Sequence, residues 1–91
     1  MNDVKKALVA LAIEKALLDV GKPTYNEVVG KIYKDYHCYL PDCYENPEYL
    51  SRVLKELYGQ SHLAIIESIK KHIGEMATQE GITNFIMKIS E

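Results

Sequence analysis

The chain has 91 residues, 47% apolar and 26% charged, with 11 basic and 13 acidic side chains and a net charge of −2. That length suits one domain with a modest core and a radius of gyration of roughly 12 Å, and it leaves little room for a deep substrate cleft. The composition is that of a globular rather than a disordered chain. The basic side chains are all lysines except Arg52, which argues against nucleic-acid binding, since that relies on basic patches and arginine.

A first helix is predicted over residues 3–20, capped by Asn2 or Asp3 and ended by Gly21 with Pro23. Its apolar run from Ala7 to Ile13 is far shorter than the roughly 18 residues a membrane span needs. The run leads straight into Glu14-Lys15 with helical patterning beyond. It therefore reads as a structural helix of a cytosolic protein and not as a signal peptide.

This helix carries two apolar stripes. At about 100° per residue, Val4, Ala7, Leu8, Leu11 and Leu18 fall on one side. Val9, Ile13, Ala16, Leu17 and Val20 fall roughly opposite. A surface helix needs only one stripe. Either the helix is central and surrounded within one chain, or one stripe meets a second chain. The second reading is preferred, because small helical domains often complete their cores by pairing. It assigns Val9, Ile13 and Leu17 to the interface.

A second helix is predicted over 24–36. Thr24 and Glu27 have the spacing of a capping box, and Tyr25, Val28, Val29, Ile32, Tyr33 and Tyr36 form its apolar stripe. Gly30 inside it costs about 1 kcal/mol relative to alanine, which a close helix crossing would explain.

The period breaks between His37 and Asn46, where Pro41-Asp42 signals a turn. Cys38 and Cys43 lie here in a C-x4-C spacing beside His37. Three local ligands fall short of a structural zinc site, and reduced cysteines packed as small apolar groups are the expected state in a cytosol. All seven tyrosines lie between positions 25 and 58. Tyr39 and Tyr44 make this loop a second candidate recognition surface, against the reading in which its tyrosines form a lid over the core.

A third helix is predicted over 47–58, with Asn46 as N-cap, Pro47 in the first turn and Gly59 as a left-handed stop. Its stripe is Leu50, Val53, Leu54, Leu57 and Tyr58. A fourth spans 61–79, with His62, Ile65, Ile66, Ile69, Ile73 and Met76 inward, weakened by Gly74 and ended by Gly81. A short fifth covers 83–90, with Ile82, Phe85, Ile86 and Ile89 on one side. The fold class is thus all-α, a single-domain bundle of four to five helices.

No Ser–His–Asp order, glycine-rich phosphate loop, H-E-x-x-H motif or acid cluster is present in the sequence. His72, in Lys-Lys-His-Ile-Gly-Glu, comes nearest to a phosphotransfer histidine. His62 reads as a packed, hydrogen-bonded imidazole. Gly59-Gln60-Ser61 is a weak match to an anion site at a helix start.

The order of these signals resembles the archaeal helical domains called the Nitrosopumilus output domain family, fifth type, over about residues 4 to 75. The matching features are the helix ending near Gly21, the amphipathic helix ending near Tyr36, and the Asn46-Pro47-Glu48 helix start. Leu54 through Tyr58-Gly59, before an isoleucine-rich helix, completes the match. Cys38 and Cys43 are not part of that pattern. The resemblance implies a small output module of an archaeal signalling protein, without catalytic residues to carry across.

The expectation is a non-enzymatic, cytoplasmic interaction module without cofactor or metal, pairing with itself or another helical protein. Nucleic acid, membrane and small-molecule substrates are not expected. Histidine phosphotransfer at His72 is the alternative, and a winged-helix-like DNA binder a more distant one.

Overall fold

The computed structural model of the chain describes residues 3–76 and 80–89, with side chains over 4–74 and 85–89. Five α-helices follow one another: α1 (Asp3–Val20), α2 (Lys22–Tyr36), α3 (Pro47–Tyr58), α4 (His62–Met76) and α5 (Glu80–Ile89). A 3-10 segment, Leu40–Tyr44, lies between α2 and α3, and another, Gly59–Ser61, joins α3 to α4. No strand occurs among the described residues. This is the small all-α bundle that the apolar periodicity predicts, with a radius of gyration of 11.7 Å.

The core forms around α1. Val9, Ala12, Ile13, Ala16 and Leu17 are fully buried on its inner face, and α4, the Leu40–Tyr44 segment and α2 pack around the helix. Ala12 and Ala16 leave room for those neighbours to come close. Val28 and Ile32 enter the core from α2, and Leu50, Val53 and Leu54 from α3. Ile65, Ile66, Ile69 and Ile73 enter from α4, and Phe85 and Ile89 from α5, which packs chiefly on α3. These are the periodic stripes that the sequence marks.

Helix ends depart from the sequence reading in informative ways. Gly21 closes α1 through its N–H on the Leu17 carbonyl, and its own carbonyl accepts from Tyr25. Its φ of 155° and ψ of 156° belong to a region that is essentially glycine-only. The chain therefore turns from α1 into α2 on a single residue. This starts α2 at Lys22, two positions ahead of the expected start, and puts Pro23 in the first turn. The Thr24–Glu27 capping box does not form, because Thr24 already lies inside the helix. Gly59 ends α3 at φ 56°, as its position predicts.

Asn46 precedes α3 without a side-chain cap, its amide donating back to the Asp42 carbonyl at 3.3 Å. The Gly30 crossing is also absent: nothing lies within 4 Å of where its Cβ would stand. Gly81 lies within α5 and does not terminate α4. The Asn2 and Asp3 capping side chains, the Met76 and Ile82 side chains, and the end of the expected fourth helix lie outside the described residues.

Polar pairs at the bundle surface link neighbouring elements. Lys31 reaches Asp35 on its own helix and Glu56 on α3, each at 3.0 Å. Hydrogen bonding to Asp35 and Glu56 holds its ammonium pKa above the usual value. Lys6 pairs with Glu45, tying α1 to the end of the 3-10 segment. His72 joins α4 to the last turn of α1 through Asp19.

Candidate functional site

The outer face of α1 is the outstanding surface feature. Val4 is 66% exposed, Leu11 41% and Leu18 44%. They are spaced seven residues apart, so they stay within about 40° of one another around the helix. Ala7, also exposed, falls beside them. The result is an apolar seam running the length of the helix. Glu14 and Lys15 stand on either side of it between Leu11 and Leu18. The inner face is already covered by the chain's own helices, so the seam is not an unfilled part of the core.

This reverses the assignment of the two stripes. Val9, Ile13 and Leu17, expected at an interface, are fully buried core residues. The opposite stripe, Val4, Ala7, Leu11 and Leu18, is the one left to solvent. Both are apolar, so hydropathy alone does not choose between them. The alanines do carry a signal: Ala12 and Ala16 flank Ile13, and small residues belong where other helices approach closely.

The tyrosine-rich segment divides in two. Leu40 and Cys43 insert into the core, and Tyr44 packs half-buried against it, as a lid residue does. Asp42 stabilises this turn by accepting from the Tyr39 N–H at 3.0 Å, while its own N–H returns to the Tyr39 carbonyl. Tyr36 and Tyr49 stack in parallel at 4.0 Å, bringing the end of α2 onto α3. Tyr39 instead is 60% exposed and leans on exposed Tyr33, with ring centroids 5.4 Å apart. His37 meets Tyr33 edge-on at 5.9 Å. Its left-handed φ of 56° closes α2, with its N–H on the Tyr33 carbonyl.

Both cysteines are free thiols. Burial pushes the Cys43 thiol up to about 12, helped by Cys38, Asp42 and Glu48 nearby. Such a thiol is a packing group and not a nucleophile. Cys38 is half-buried and donates to the Tyr36 carbonyl. No group of three or more His, Cys, Asp or Glu side chains is placed to hold a metal ion among the described residues.

His62 and His72 each have a polar partner within the chain. His62 donates from Nδ1 to the Gly59 carbonyl at 2.7 Å, capping the turn behind it. His72 Nε2 lies 2.7 Å from Asp19 Oδ2. A phosphoryl group approaching Nε2 would meet that carboxylate. None of the helices searched among the described residues is long and apolar enough to cross a membrane.

No protein-family model, no curated protein and no solved structure matches the chain.

Proposed function

We propose that this chain is a non-catalytic helical interaction module that associates with itself through the outer face of α1. The exposed seam of Val4, Ala7, Leu11 and Leu18 carries the reading. Scattered exposed apolar residues are ordinary on a small protein, but a continuous stripe on one helix is the kind of patch that marks a partner surface. The net charge of −2 favours a protein partner over nucleic acid. The resemblance in helix order to archaeal signalling output domains supports a cytoplasmic output role. Phosphotransfer at His72 draws no support from a Nε2 already facing Asp19.

Sedimentation velocity from micromolar to near-millimolar concentration tests the proposal. The expected result is a weight-average mass that rises with concentration, and a Leu11→Glu chain that stays folded and monomeric throughout. A wild-type chain that remains strictly monomeric at the highest concentration overturns self-association.

A further inference from the structure

We draw no further inference here: the strongest candidate outside the α1 face, the exposed ring cluster of Tyr33, His37 and Tyr39 where α2 runs into the Leu40–Tyr44 segment, is a surface patch whose rings pack on one another, and nothing in the structure shows what covers it.

Discussion

Leu11 and Ile13 lie two residues apart on α1 and point to nearly opposite sides of it; Ile13 is fully buried while Leu11 is left half-exposed. Equal apolar character at the two positions therefore conceals opposite roles. Ile13→Lys buries an uncompensated charge among α1's neighbours, a mechanism that costs about 4 kcal/mol or more. That is a large share of the 5–15 kcal/mol that typically holds a domain together. Ile13→Lys is expected to unfold the chain at room temperature, or to leave it at the edge of unfolding. Leu11→Glu places its charge in water and is expected to keep the wild-type melting temperature within a few degrees. Thermal melts followed by far-ultraviolet circular dichroism compare the two. Equal melting temperatures for both variants would contradict the burial pattern.

The same pair of residues shows what was legible in the sequence. The bounds of α1 and α3 and the inward faces of α3 and α4 follow from periodicity and from Gly21, Pro47 and Gly59, whereas the loop is split, with Tyr44 half-buried and Tyr39 exposed. Periodicity reports which residues leave water, so it serves well where a helix has one apolar stripe. On α1, with two, the inward choice depends on which neighbours arrive, and that is tertiary information. The Thr24–Glu27 motif fails for a related reason. A capping box is a local preference worth about 1 kcal/mol, and the Gly21 corner and Pro23 start the helix two residues earlier. Both side chains then serve α3 instead. Local signals also misplace Gly81, because a glycine that often ends helices here lies within α5.

Gly30 offers a direct gain in stability. It lies in the middle of α2, is exposed, and has open space where a Cβ would go. No positive φ requires glycine there. Gly30→Ala is expected to stabilise the chain by about 0.5–1 kcal/mol, the propensity difference between the two residues in a helix interior. Chemical denaturation measures it as a rise in midpoint at unchanged slope. A fall in midpoint would mean that α2 is packed closely at this position after all.

The two thiols are expected to separate by reactivity. Cys43 is fully buried and its pKa is raised to about 12 by burial, so little thiolate exists at neutral pH. Cys38 is half-buried. A thiol-specific chromogenic reagent should titrate one cysteine per folded chain, with the second appearing only in denaturant. Mass spectrometry of the labelled protein should place the fast modification on Cys38. Fast labelling of both thiols in native buffer would show that the Leu40–Tyr44 segment opens readily from the core.

Tyr58 donates a 2.6 Å hydrogen bond to Glu27, tying the end of α3 to the first half of α2. Burial and the Glu27 carboxylate raise the phenol to about 12, with a hydrogen bond donated by Thr24 to the phenol oxygen acting the other way. A phenol whose proton is held more tightly in the folded state contributes stability that is complete below its ordinary value near 10. That contribution fades as pH rises toward about 12. Cys43 acts in the same direction from its ordinary value near 9. Wild-type melting temperature should therefore be flat through neutral pH and fall across this alkaline range. Tyr58→Phe removes one partly exposed hydrogen bond, worth about 1 kcal/mol at neutral pH. The gap between the two proteins should close as pH approaches 12, because ionised Tyr58 repels Glu27 and no longer donates to it. A gap that stays constant from neutral to alkaline pH would assign the effect of the substitution to packing, and would leave the Tyr58–Glu27 bond without a part in holding α2 on α3.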